Sequence, residues 1–194
     1  MSALDILFPG GDGIWRSFSI FWCPEDDILK RSKADKVPYA QWVKAGHLRA
    51  TPGSATDFDF IEAEIREIAE RFDVQELLYD RWKSSSIVQN LMRDEVVTCV
   101  PFGQGYQSQS PALKEIERRL LNGTLRHALN PVLSWNAANA ETVRDPALNI
   151  KLNKRSDRKR IDGLAAKSNA VGGAMLKNEN DGPSIYEDRG IIEL

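Results

Sequence analysis

Lys154-Arg155-Ser156-Asp157-Arg158-Lys159-Arg160 leads directly into Ile161-Asp162-Gly163-Leu164-Ala165-Ala166. Cationic side chains can hold a nucleic-acid backbone, and a carboxylate at the start of the helix that follows can hold a hard divalent cation beside it. Together they sketch a metal-dependent nuclease. Taken alone, the residues favour a plainer reading, because basic runs are usually solvated and the helix dipole by itself favours an aspartate in a first turn. A second carboxylate would strengthen the case if it converged on the first. Asp80 is the candidate: it ends the apolar run Val74 to Tyr79 and is followed by Arg81-Trp82-Lys83. In open α/β sheets the carboxyl ends of strands line the ligand crevice, where Arg81 and Lys83 would meet phosphates. On its own, Asp80 is more simply a turn or capping residue.

Other chemistries find less support. His47 and His127 are the only histidines, without the spacing of a zinc site, and His127 reads as structural. No Gly-x-x-x-x-Gly-Lys loop and no Gly-x-Ser-x-Gly elbow is present. Cys23 and Cys99 are far apart and read as reduced core thiols of a cytosolic protein. The five tryptophans are scattered and read as core. Gly103-Gln104-Gly105 is a polar loop after a strand and could lie over a site.

The elements that must position these residues follow from pattern. Ala3 to Phe8 and Ile14 to Trp22 read as a hairpin around Pro9-Gly10-Gly11-Asp12-Gly13. A long polar connection from Pro24 leads to a short helix around Tyr39 to Ala45. Asp57 or Asp59 caps a helix to Phe72, whose Ile61, Ile65, Ile68, Ala69 and Phe72 share a face. Val74 to Tyr79 and Val96 to Phe102 read as buried strands, separated by a helix from Ser84 or Ser85 to Arg93. That alternation implies parallel pairing. Ser110-Pro111 opens a helix to Leu121, and Asn130-Pro131 opens another to Ala138. Asn139 to Leu152 reads as a hairpin, and a last helix from Arg160 fades near Gly172-Gly173. The chain has 194 residues, enough for one domain, with residues 177–194 as a polar tail. Hydrophobic content is 42% and charged content 28%, as in ordinary globular chains. Net charge is only -2, so nucleic-acid contact must come from a local patch such as Lys151 to Arg160. No apolar run spans a membrane, and no signal peptide is evident.

Several stretches, in order, resemble the carboxyl-terminal nuclease domain of tailed-phage terminase large subunits. They are Phe21-Trp22-Cys23-Pro24-Glu25-Asp26, Val37-Pro38-Tyr39-Ala40-Gln41-Trp42-Val43, Thr51-Pro52-Gly53 with Asp57-Phe58-Asp59, and Tyr79-Asp80-Arg81-Trp82. Gly103-Gln104-Gly105-Tyr106, Leu125-Arg126-His127 with Asn130-Pro131-Val132-Leu133-Ser134-Trp135, and Asp145-Pro146 through Asn149-Ile150-Lys151 continue the series. Arg160-Ile161-Asp162-Gly163 and Ile185-Tyr186-Glu187-Asp188-Arg189-Gly190 close it.

The resemblance implies an α/β, ribonuclease H-like fold over residues 1–176, a mixed sheet flanked by helices. It implies endonucleolytic cutting of concatemeric phage DNA during packaging, in the host bacterial cytoplasm. Acidic residues of the family bind two divalent ions, magnesium or manganese. By motif position Asp80 resembles the second of these residues and Asp162 the third, with Arg81, Lys83, Lys154, Arg155 and Lys159 flanking the DNA. Implied partners are double-stranded phage DNA, the terminase ATPase domain, the small terminase subunit and the portal, with no membrane. Two departures bear on activity. The family's first catalytic aspartate sits on a central strand ahead of the stretch matched by Ser2 to Pro9, and this chain begins after it. Asp5 matches a normally apolar position. Lys167-Ser168-Asn169 also occupies a normally apolar part of the last helix, and burying such groups unpaired costs roughly 1–3 kcal/mol each. These features imply a truncated, split-gene or decaying prophage form that cuts DNA weakly or not at all. The alternative is a non-catalytic remnant that binds DNA or a packaging partner.

Overall fold

The computed structural model describes residues 1–81, 85–153 and 159–180. β1 (Ser2–Pro9) and β2 (Trp15–Pro24) form an antiparallel hairpin, in register from Ser2 opposite Trp22 to Pro9 opposite Trp15. Its turn is closed by Asp12, whose Oδ1 accepts from the Ile14 amide at 3.0 Å and whose carboxylate pairs with Arg16 at 2.9 Å. Gly13 takes φ +76 there, a conformation with little steric cost for glycine alone.

Next come α1 (Ile28–Asp35), α2 (Tyr39–Lys44) and β3 (Arg49–Thr51). α3 (Phe58–Arg71) is capped by Asp57, which accepts from the Phe60 amide at 3.0 Å. β4 (Leu77–Tyr79), α4 (Ser85–Arg93) and β5 (Cys99–Pro101) make a parallel pair with a helical crossover. α5 (Tyr106–Leu121) and β6 (Leu125–His127) follow, then α6 (Pro131–Asn139), capped by Asn130. A small antiparallel hairpin, β7 (Glu141–Arg144) and β8 (Ile150–Asn153), precedes α7 (Asp162–Asn180).

The main sheet is mixed and β2 is its centre. β1 pairs with it antiparallel, while β3 and β6 pair parallel to its two ends on the other edge. Side chains on β2 alternate between two layers, as strand geometry requires. Phe21 and Cys23 pack with Tyr39 and Trp42 of α2 and Val132 and Leu133 of α6. Trp15, on the same face, joins Leu113 and Ile116 of α5 and Val171 of α7. Trp22, on the opposite face, packs with Ile61 of α3 and Ile87 and Leu91 of α4. No helix among the described residues is long and apolar enough to cross a membrane. Cys23 and Cys99 are free thiols, Cys23 being buried.

Several boundaries differ from the expectation. α1 forms in the polar connection, and β3 and β6 are short additions whose three residues carry too little pattern to stand out. The strands expected over Val74 to Tyr79 and Val96 to Phe102 contract to three residues each. α5 starts at Tyr106, so Pro111 lies inside the helix. The turn ahead of Pro111 is held by tertiary bonds: Ser110 Oγ accepts from the Ile150 amide at 3.2 Å, and Gln109 Oε1 accepts from the Leu152 amide at 2.8 Å. α7 continues through Gly172-Gly173 because those glycines are contact points. A Cβ at Gly172 would lie 2.4 Å from the Phe102 ring, and one at Gly173 would lie 2.5 Å from Leu78. Gly163 meets Phe21 of β2 as closely, at 2.6 Å. One helix thus packs on both the main sheet and the β4–β5 pair.

Gly173→Ala should therefore destabilise the fold by about 1–3 kcal/mol through overpacking, although alanine is the better helix former by about 1 kcal/mol. Urea unfolding checks this, and Gly173→Ala combined with Leu78→Ala should cost less than the sum of the two single losses, because the truncation opens space for the methyl group.

Candidate metal and nucleic-acid site

β4 is held in the pair by the Leu77 amide donating to the Thr98 carbonyl at 2.8 Å, and by the Phe102 amide donating to the Tyr79 carbonyl at 2.9 Å. Asp80 follows at once, half-buried at the carboxyl end of the strand. Asp162 opens α7, and the entry to that helix is tied to α6. The Gly163 amide donates to Asn136 Oδ1 at 2.9 Å, and Asn139 Nδ2 donates to the Arg160 carbonyl at 3.3 Å. Asn136 is fully buried, and its amide nitrogen donates to the Val132 carbonyl at 3.0 Å. Amides in the first helical turn have no intrahelical partner, and here a buried side chain supplies one.

Asp80 and Asp162 line the same groove, of about 530 Å³. β1 runs along it and β4 also lines it; Ile61, Ile65 and Ile68 of α3 and small residues of α7 complete its apolar walls. Its polar residues include Gln104 and Asn169, joined by a bond from Gln104 Nε2 to Asn169 Oδ1 at 3.1 Å. Gln109 Nε2 donates to Gln104 Oε1 at 2.7 Å, extending the chain of amides towards β8. Gln104 also lines a smaller notch of about 240 Å³ with Asp80 and Arg81. Gly103 and Gln104 of the loop after β5 thus lie beside Asp80. Close to Asp162 is the Met1 amino group, which burial holds below the usual N-terminal value while the Asp162 charge pulls it back up.

Asp73 and Glu76 also line the groove, as does Asp5, which is paired within the fold. Lys167 Nζ reaches its Oδ1 at 2.9 Å and its Oδ2 at 3.2 Å, and Ser19 Oγ donates to the same carboxylate. Burial pushes the Asp5 carboxyl above the ordinary carboxylate range, with Lys167 and Ser19 acting in the opposite direction. Breaking such a pair by removing one partner typically costs about 3–5 kcal/mol. The cost expected for unpaired polar groups on α7 does not arise: Lys167 has Asp5, Ser168 Oγ donates to the Ala165 carbonyl at 2.8 Å, and Asn169 has Gln104.

Among the described residues, no group of three or more His, Cys, Asp or Glu side chains is placed to hold a metal. Asp80 and Asp162 are hard oxygen donors, which suits magnesium or manganese. Arg81 is exposed beside Asp80. Lys159 is engaged with Glu141 of β7 at 3.0 Å. Lys83, Lys154 and Arg155 lie outside the described residues. Sequence reasoning missed the anchoring role of Asn136, the Gln104–Asn169 bond and the Asp5–Lys167 pair. The two polar positions, Asp5 in the first strand and Lys167 as the sixth residue of the last helix, were the signal for the pair.

Asn136→Ala should cost about 1–3 kcal/mol, because it leaves the buried Gly163 amide without its acceptor. Urea unfolding measures the loss, and amide exchange should localise the added opening to the first turn of α7.

A family model for the endonuclease domain of the terminase large subunit matches residues 2–178. The chain is 39% identical over 177 residues to the terminase large subunit of Enterobacteria phage HK97, a match covering 90% of this chain and 35% of that protein. It is 29% identical over 193 residues to the protein YmfN of Escherichia coli (strain K12), covering 94% of this chain and 42% of that one. The crystal structure of the HK97 large terminase superposes with a TM-score of 0.81 at 39% identity, over 88% of this chain and 36% of that one. The chain thus spans well under half the length of these relatives.

Proposed function

Because the chain belongs to the terminase large-subunit endonuclease domain family and has its ribonuclease H-like fold, we propose that it serves the DNA-cutting step of phage DNA packaging. The reaction is metal-dependent endonucleolytic cleavage of concatemeric double-stranded DNA. The observation that carries this reading is the placement of Asp80, at the end of β4, and Asp162, at the start of α7, on one groove. These two residues would hold magnesium or manganese, which supplies a lowered pKa for bound water and charge stabilisation at the scissile phosphate.

The protein's own residues do the rest. Asn136 fixes the first turn of α7 and so orients Asp162, while the Gln109–Gln104–Asn169 amides hold the loop beside Asp80. Arg81 is exposed next to Asp80 to meet a phosphate, and Lys83, Lys154, Arg155 and Lys159 extend the cationic contact. Lys159 must exchange Glu141 for DNA, so its contribution is the weaker one. Packaging acts in the host cytoplasm, with the terminase ATPase domain, the small subunit and the portal as partners. One observation favours a second reading, a chain that binds DNA without cutting it: Asp5, a further carboxylate on the groove, is held by Lys167.

Manganese titration with plasmid nicking separates the two. Asp80→Asn and Asp162→Asn should each lower manganese affinity by about tenfold or more, since even outer partners of metal ligands contribute about 10–100-fold. Replacing Lys154, Arg155 and Lys159 by alanine should flatten the salt dependence of DNA binding by about one unit of slope per lost contact. Nicking abolished by either aspartate substitution supports the nuclease reading. Salt-dependent binding with no aspartate-dependent nicking supports the binding reading, and manganese affinity indifferent to both aspartates rejects the metal site.

A further inference from the structure

The buried ion pair of Asp5 and Lys167 has no part in the chemistry above, yet it joins the helix of Asp162 to the main sheet. Its two side chains are 0% and 4% exposed. Lys167 Nζ donates to Asp5 of β1 and to Ser17 Oγ of β2, and Ser19 of β2 donates to Asp5 in turn. An ammonium has three donors, and here all three meet acceptors on two adjacent strands. The strand register makes this possible: Asp5 lies opposite Ser19, and Leu7 lies opposite Ser17. The four side chains therefore share one face of the hairpin.

Buried ion pairs generally add little net stability over a well-packed apolar pair. What this one adds is direction. Around Lys167, α7 offers the small side chains of Ala165, Ala166 and Ala170, whose contacts change little when a helix slides or rotates. The close approaches of Gly172 and Gly173 go to Phe102 and Leu78, on the side of the β4–β5 pair. A slip of one helical turn, about 5.4 Å, would pull Lys167 away from both strands and strand two buried charges. Asp162 lies five residues earlier on the same helix, so a movement at Lys167 is a movement of Asp162.

We propose that Asp5 and Lys167 are positioning residues that hold α7, and with it the Asp162 carboxylate, in one register against the β1–β2 hairpin. The link to Asp162 as a cation ligand rests on the function proposed above; the register claim stands on its own.

The test compares the parent chain with the apolar double variant Asp5→Leu/Lys167→Met and with Ser17→Ala, which removes one acceptor and no charge. Three readouts are taken: the urea unfolding midpoint, amide hydrogen exchange in the first two turns of α7, and manganese affinity. The double variant should unfold near the parental midpoint. Its early α7 amides should exchange about tenfold faster or more as local opening grows, and its manganese affinity should fall about tenfold, within the range of lost supporting contacts. Ser17→Ala should move both readouts in the same direction by less. Parental exchange and parental affinity in a folded double variant would overturn the proposal. Loss of the fold in the double variant, with Ser17→Ala unchanged in exchange, would also overturn it, since the pair would then be a stability element alone. If manganese affinity of the parent is indifferent to Asp162→Asn, the metal reading fails, and the exchange data still decide the register claim.

Discussion

One helix has to fit two sheets. Among the described residues no strand pairing joins the main sheet to the β4–β5 pair, and α7 packs on both. That constraint explains its composition. Gly163 lets the helix approach Phe21 of β2, while Gly172 and Gly173 let it approach Phe102 and Leu78. A larger residue at any of the three would force the layers apart, in an interior packed too densely to absorb a methyl group without strain. The same helix carries Asp162 at its first turn, so the packing that joins the sheets also sets where one half of the proposed site lies. Asp80, at the end of β4, is set by the other.

Close packing of glycine and alanine leaves few directional contacts, and buried polar groups provide them. Asn136 holds the start of the helix, Asp5 holds Lys167, and Gln104 holds Asn169. Each of these would be a liability if left alone in the interior; each is satisfied by a partner on a different element. The polar residues Asp5 of β1 and Lys167 of α7 are therefore matched across one interface. The pairing adds specificity of placement to an interface whose apolar part is smooth.

Much of this was legible in the sequence where pattern and packing agree. The β1–β2 hairpin, the capped helix after Asp57, the parallel β4–β5 unit and the helix after Asn130-Pro131 follow from alternation, capping residues and turn chemistry. Asp80 and Asp162 stood out as carboxylates at element ends beside cations, and the order of motifs pointed to the terminase family. What the sequence hid depends on contacts distant along the chain. Tyr106 to Gln109 are helical ahead of Pro111 because Gln109 and Ser110 bond to β8. Gly172-Gly173 looks like a helix end until Phe102 and Leu78 fill the space. Lys167 looks like an error in a buried face until Asp5, 162 residues away in sequence, is seen against it.

In the proposed function, α7 and β4 bring Asp162 and Asp80 to one groove so that they can share a divalent cation. Crystals of the chain soaked in manganese, with anomalous scattering measured near the manganese edge, test it directly. The account predicts an anomalous peak in the groove within coordination distance of a carboxylate oxygen from each residue. A peak that touches only one of them, or crystals saturated with manganese that show none in the groove, would contradict it.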